Sequence, residues 1–303
     1  MALLEVRDLA RSFGPIKAVD GADLSVEPGE IFGLVGPDGA GKSTTLRMIC
    51  GLLDPDRGAL SVDGIDVAAQ PEQVRDRLGY MPQQYSLYAD LTVRENLEFF
   101  ADMYFVPRDV RRKRLARLYE FSRLEPYADR PAGKLSGGMY KKLALSCNMI
   151  HTPKLLLLDE PTNGVDPLSR RELWEILYSF AAQGVAIVVS TPYMDEAERC
   201  HRVALMHQGR MLAVDAPQAI LERFGDELYE LERTSEVRAL LASLPEVLRV
   251  YPAGDALKVV LAAGTGEGPI RKALESAGIE ARALRLTLPN FEDVFLARVE
   301  SGQ

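Results

Sequence analysis

The runs "LLLL" at 155–158 and "VAIVV" at 185–189 contain no polar position. Strands buried on both faces of a parallel sheet read this way, because helices cover both sides. Runs at 31–35 and 203–206 share the character, so four short core strands are expected. Near the start, "LLEVRDLARSF" and "ADLSVE" alternate polar and apolar residues instead, as in an antiparallel sheet with one wet face. Between these and the later core strands, 92–105 and 109–124 carry helical spacing and form an inserted block. After Phe224-Gly225-Asp226 the rhythm changes to strand 228–231, helix 236–243, strands 247–251 and 257–261, helix 269–277, strand 281–288 and a last helix 291–299. That βαββαβ order fits a split βαβ domain. Two domains are expected: residues 1–225, an α/β core with an antiparallel β subdomain and an inserted helical subdomain, and residues 226–303, a small α+β domain.

Composition narrows this picture. A formal net charge of -8 gives no support for nucleic acid as the main partner. Cys50, Cys147 and Cys200 are far apart and lack metal-type spacing, so they read as reduced, buried thiols of a cytosolic protein. The first residues carry charges within their apolar stretch, unlike a secretory leader. No run approaches the ~20 apolar residues of a membrane span, so a role at a membrane is expected to come through a partner.

The chemistry begins directly after the strand at 31–35. Gly36-Pro37-Asp38-Gly39-Ala40-Gly41-Lys42-Ser43-Thr44 matches G-x-x-x-x-G-K-[ST] between a strand and a helical run, the context that gives a phosphate loop its meaning. Gly39 and Gly41 let backbone N–H groups approach phosphate oxygens, and the following helix aims its N-terminal dipole at the same anion. Lys42 reaches the β- and γ-phosphates, Ser43 ligates Mg²⁺, and Thr44 helps hold the α-phosphate. The strand at 155–158 delivers Asp159 and Glu160 to the carboxyl edge of the sheet, where such folds bind ligands. Asp159 suits Mg²⁺ and Glu160 suits polarising an attacking water. A third signal, "LSGGMYKKLALS" at 135–146, places Ser136 and two glycines at a helix start. It reads either as a second anion-binding helix end or as a simple N-cap. The stretch 264–269, glycine-rich but followed by no Lys-Ser or Lys-Thr, reads as a turn.

Taken together these motifs resemble the nucleotide-binding subunit of ATP-binding-cassette (ABC) transporters, over essentially the whole chain. The resemblance implies a P-loop NTPase core using ATP and Mg²⁺, with Leu135–Gly138 as the signature, so that Ser136 and Gly138 touch nucleotide. It casts Gln83 as the glutamine that senses the γ-phosphate and Mg²⁺, and the adjoining segment Tyr85–Leu97, with Tyr85, Leu87 and Tyr88, as the place where the membrane subunit docks. Asp166 in "NGVDP" becomes the acid of the loop crossing to a second cassette. Phe13 is either the ring that stacks on adenine or a half-buried strand aromatic. The implied partners are a second cassette, in a homodimer or a heterodimer, and integral membrane permease subunits on whose cytoplasmic face the protein sits. The tail "TLPNFEDVFLARV" resembles that of drug-efflux and related exporters. Two rivals stay open: a soluble ABC ATPase outside transport, and a regulatory cassette that hardly hydrolyses ATP. The second arises because "VSTPYMDEAE" places Pro192, in what reads as a first helical turn, where most of this family carries a histidine that contacts the γ-phosphate. His151, His201 and His207 fall outside that register.

Overall fold

A computed structural model describes residues 2–84, 87–279 and 284–300. The described chain divides into two compact units, one ending at Pro217 and one beginning at Gln218.

The first unit starts with β1 (Leu4–Phe13) and β2 (Ile16–Val26), then β3 (Ile31–Val35) leading into α1 (Lys42–Ile49). β4 (Arg57–Val62), β5 (Ile65–Asp66), α2 (Pro71–Arg75) and β6 (Leu78–Met81) follow. The helical insert comprises α3 (Val93–Met103), α4 (Arg108–Ser122) and α5 (Gly137–Met149). The chain returns through β7 (Leu155–Asp159), α6 (Pro167–Ala181), β8 (Ala186–Thr191), β9 (Arg202–His207) and β10 (Arg210–Asp215).

Six of these strands form one sheet in the order β10-β9-β3-β8-β7-β6, parallel except for the β9–β10 pair. Every residue of β3, β7 and β8 is buried, which is why those segments show no polar alternation. β8 runs two residues beyond the expected 185–189, carrying Ser190 and Thr191 into the sheet. A second, antiparallel sheet, β2-β1-β4-β5, packs its apolar face into the same core: Leu4, Val6 and Val19 lie in one cluster with Phe32, Leu34, Leu46, Leu157 and Val188. α3 starts with a full capping box, Thr92 accepting from the Glu95 N–H and Glu95 accepting from the Thr92 N–H.

One expectation is corrected. Pro192 does not stand in the first turn of an α-helix; it forms a bend, and the helix beyond is a six-residue 3₁₀ segment, Met194–Arg199, with Tyr193 at its N-cap. The cause is Glu196, fully buried. Its carboxylate accepts from Thr191 Oγ1 at 2.6 Å, Thr162 Oγ1 at 3.0 Å and Trp174 Nε1 at 3.3 Å. With that side chain held inward, the segment winds as a 3₁₀ helix, narrower and with fewer residues per turn than an α-helix.

The second unit holds most of α7 (Pro217–Glu222), then β11 (Glu227–Glu232), α8 (Ser235–Ala242), β12 (Val247–Ala253), β13 (Ala256–Leu261), α9 (Gly268–Ser276), β14 (Arg285–Thr287) and α10 (Phe291–Glu300). Its strands pair antiparallel in the order β12-β13-β11-β14 around Leu241, Val259, Ile270 and Leu274. This is the arrangement of a split βαβ fold. The first residues of the strand expected at 281–288, 281–283, lie outside the described residues. The glycine-rich turn uses its amides on an internal anion: the N–H groups of Gly264 and Gly266 donate to the two oxygens of Glu227, at 2.9 and 2.8 Å. α10 is tied to the sheet by Asp293, which pairs with Lys258 at 2.7 Å and accepts from the Tyr251 hydroxyl at 2.9 Å.

Candidate functional site

β3 ends at Val35, and the chain turns through six residues into α1 around a tightly packed backbone. A Cβ on Gly36 would stand 2.2 Å from the Met206 carbonyl oxygen, and one on Gly41 would stand 2.2 Å from that of Ala18. Gly41 also takes φ 107° as the N-cap of α1. Both glycines are therefore required by neighbouring backbone. Gly39, at φ 77°, faces open space.

Lys42 opens α1 and is only 4% exposed. Its ammonium donates to the carbonyls of Gly36 at 2.7 Å and Pro37 at 3.0 Å and stands 4.0 Å from Glu160 Oε1. Burial pushes the Lys42 pKa below its ordinary value, while the carboxylates of Glu160, Asp38 and Asp159 push it back up. The charged lysine is thus held on carbonyl oxygens that an anion can replace. Around it opens a cleft of about 660 Å³, lined by Phe13, Asp38, Gly39, Ala40, Gly41, Lys42, Ser43, Thr44, Gln83 and Glu160. Phe13, half exposed at 48%, presents its ring at one end beside the Arg11 guanidinium.

β7 delivers the acids. Asp159 Oδ1 accepts from Ser43 Oγ at 2.9 Å and from Ser190 Oγ at 2.6 Å. Its Oδ2 is buried and has no hydrogen-bond partner. A buried carboxylate oxygen left over beside a serine hydroxyl fits a hard, oxygen-seeking cation. Among the described residues no cluster of three His, Cys, Asp or Glu side chains could hold a metal.

Glu160, 4% exposed, adopts φ 50°, a left-handed conformation costing about 1–3 kcal/mol for a residue with a side chain. Its N–H is clamped by Ser190, to the carbonyl at 3.1 Å and to Oγ at 3.0 Å. The twist turns its carboxylate into the cleft, where Oε2 accepts from Gln83 Nε2 at 2.7 Å and Asn163 Nδ2 at 3.0 Å.

Six expected site residues are not in the lining of this cleft. Gly36, Pro37 and Asp159 are bonded to its lining residues Lys42 and Ser43, whereas Ser136, Gly138 and Asp166 are engaged elsewhere. Ser136 caps α5, accepting from the Met139 N–H at 3.3 Å. Gly138 is buried so closely on α6 that a Cβ would stand 2.3 Å from Ser169 Oγ. Asp166 caps α6, accepting from the Ser169 N–H at 3.0 Å, and this bond holds its carboxyl below the usual range. The signature and the "NGVDP" loop are thus packed on each other.

Sequence reasoning missed Ser190, which grips both acids, and Asn163, which reaches Glu160. It also missed Lys141, whose ammonium donates to the Glu160 carbonyl at 3.4 Å. All three lay inside stretches already singled out, "VSTPYMDEAE", "NGVDP" and "LSGGMYKKLALS", but none was given a role there. Two of the histidines serve the scaffold. His201 Nδ1 accepts from the Ile31 N–H at 2.9 Å, and His151 bonds the Leu78 carbonyl while stacking on Tyr104.

Residues 19–163 match the family model described as ABC transporter. The chain is 42% identical over 283 residues to the probable multidrug ABC transporter ATP-binding protein YbhF of Escherichia coli, covering 92% of this chain and 48% of that protein. It therefore spans about half the length of the first relatives it matches. It is 36% identical over 296 residues to the Nod factor export ATP-binding protein I of Burkholderia pseudomallei, covering 95% of this chain and 97% of that one. Among solved structures it is similar to an ATP-binding subunit of an ABC transporter, with TM-score 0.67 and 35% identity, covering 74% of this chain and 93% of that one. With near end-to-end identity of this kind added to the Lys42 cleft, the chain belongs to the ABC transporter family as an ATP-binding subunit.

Proposed function

We propose that this chain is the ATP-hydrolysing subunit of an exporter-type ABC transporter, working beneath separate integral membrane subunits on the cytoplasmic face of the cell membrane. The observation that carries the reading is the meeting of Lys42, Ser43, Gln83 and Glu160 in one cleft, with Asp159 bonded to Ser43. The name of one relative, the Nod factor export ATP-binding protein I, supports the transport direction. Among the described residues no helix is long and apolar enough to cross a membrane, so the spanning path is assigned to other chains.

The N-terminus of α1 and the loop amides receive the phosphate chain, and Lys42 exchanges its two carbonyl partners for phosphate oxygens. Phe13 stacks on the adenine, a contact worth about 1–3 kcal/mol in comparable base-stacking cases. Ser43, Asp159 and Gln83 would hold Mg²⁺, which neutralises phosphate charge when bound. Glu160 takes the proton of the attacking water. Ser136, Gly138 and Asp166 lie off the cleft of their own chain, so their nucleotide contact is assigned to a second cassette, placed head to tail in a homodimer or heterodimer. The unit from Gln218 onward, and with it the expected domain 226–303, stabilises or regulates that pair and holds no nucleotide. A second reading, a slow regulatory cassette in a mixed pair, is favoured by Pro192 alone.

The test is direct. Lys42→Ala abolishes productive ATP binding in equilibrium titration, and the wild-type chain co-purifies with polytopic membrane proteins. Recovery with ribosomes or DNA and no membrane partner contradicts the transport reading.

A further inference from the structure

We infer that Asn163 and Tyr193 are positioning residues for Glu160, fixing its carboxylate from the turn that follows β7 and the bend that follows β8. The inference rests on the hydrolytic reading of the cleft.

Glu160 Oε2 has two donors of different origin. Gln83 comes from a segment 77 residues away in sequence and is itself exposed. Asn163 comes from the same turn as the glutamate, its N–H donating to the Glu160 carbonyl at 3.2 Å while its Nδ2 donates to Oε2 at 3.0 Å. One short turn thus holds both the backbone and the carboxylate of the same residue. An amide that donates through nitrogen has its oxygen fixed by default, and Asn163 Oδ1 accepts from the Tyr193 hydroxyl at 3.4 Å. That bond selects which end of the amide faces Glu160.

Tyr193 is in turn held on three sides. Its N–H donates to Thr191 Oγ1 at 3.1 Å, and its ring lies 4.5 Å from the Arg170 guanidinium. The adjoining 3₁₀ segment is anchored by buried Glu196, which Arg170 approaches to 3.7 Å. The relay therefore runs from the rigid end of β8, through Tyr193 and Asn163, to Glu160. It leaves Oε1 facing Lys42 and the cleft. Pro192 fits this arrangement: it supplies the bend that carries the chain from β8 to Tyr193 without needing a donor of its own.

The test measures ATP affinity and steady-state turnover of the full chain. Asn163→Ala lowers kcat about 10- to 100-fold, the loss expected when a charged group loses a hydrogen bond, with ATP Kd unchanged. Tyr193→Phe keeps the ring on Arg170, so it isolates the hydroxyl; it lowers kcat about threefold, again without changing Kd. In the Asn163→Ala background, Tyr193→Phe adds nothing, since the relay is already cut. Asn163→Asp, equal in size but acceptor-only and acidic, is at least as impaired as Asn163→Ala. The inference is overturned if both single variants turn over like wild type, if Kd weakens as much as kcat falls, or if the two effects add. A wild-type chain that binds ATP without turnover contradicts the hydrolytic reading itself and is told apart by that result.

Discussion

Pro192, a ring with no proton to give, follows the end of β8 in the register where the resemblance places a histidine. A polar side chain restored there adds a second contact to the reacting water or phosphate. Pro192→His is therefore expected to raise kcat severalfold with ATP Kd unchanged, and steady-state kinetics beside a binding titration check it. A neutral or harmful effect means that the site works fully without an imidazole. At this scale the legible part was the contiguous part. Lys42, Ser43, Asp159 and Glu160 announce themselves because their spacing within a strand–loop–helix is fixed by local geometry. Ser190 carries no such mark. It grips Asp159 and Glu160 only because β7 and β8 lie side by side, 31 and 30 residues away in sequence. Phe13 was left between two roles by sequence, and its half-exposed place on the cleft wall favours the nucleotide-facing one.

Among the elements, the insert around α3 gives the clearest case of a buried polar residue doing structural work. Asn96 is fully buried; its Nδ2 donates to the carbonyls of Tyr88, Leu91 and Thr92, and its Oδ1 accepts from the Tyr88 N–H. Asn96→Ala leaves the Tyr88 N–H without its acceptor, while the three carbonyls keep the N–H groups of Leu91, Ala132 and residue 96; it is expected to destabilise the first unit by about 1–3 kcal/mol, read as a lower denaturant midpoint. The same loop carries the proposed docking surface for the membrane subunit. Leu87 is buried, with its N–H donating to the Tyr140 hydroxyl, whereas Tyr88 is half exposed and meets Phe99 edge-on at 4.6 Å. Tyr88→Ala is expected to reduce stimulation of turnover by the membrane partner while ATP Kd stays unchanged; equal loss of both assigns Tyr88 to the core. Tyr85, also expected on this surface, lies outside the described residues. Helix starts were readable here because Thr92 and Glu95 form a local box. The 3₁₀ segment was not, because the capture of Glu196 by Thr162 and Trp174 is a tertiary event that polarity along the chain does not record.

Across the whole molecule, every residue of the Lys42 cleft belongs to the unit ending at Pro217. A chain truncated after Pro217 is accordingly expected to bind ATP within about twofold of full length, as a unit with its own core does. Loss of binding in a truncated chain that still shows its helical circular dichroism contradicts this separation. The alternation of strand and helix made both architectures readable in advance. The placing of the division differs from the expected 225 because α7 carries no sequence mark of the side it joins. The central claim is that the cleft binds ATP through Lys42 and breaks it down through Glu160, and one variant separates the two. Glu160→Gln keeps the shape and the amide contacts of the side chain but removes the base. Measured together, its ATP Kd is expected to equal that of wild type and its kcat to fall about 10²- to 10⁴-fold. A variant that still turns over ATP at the wild-type rate contradicts the account.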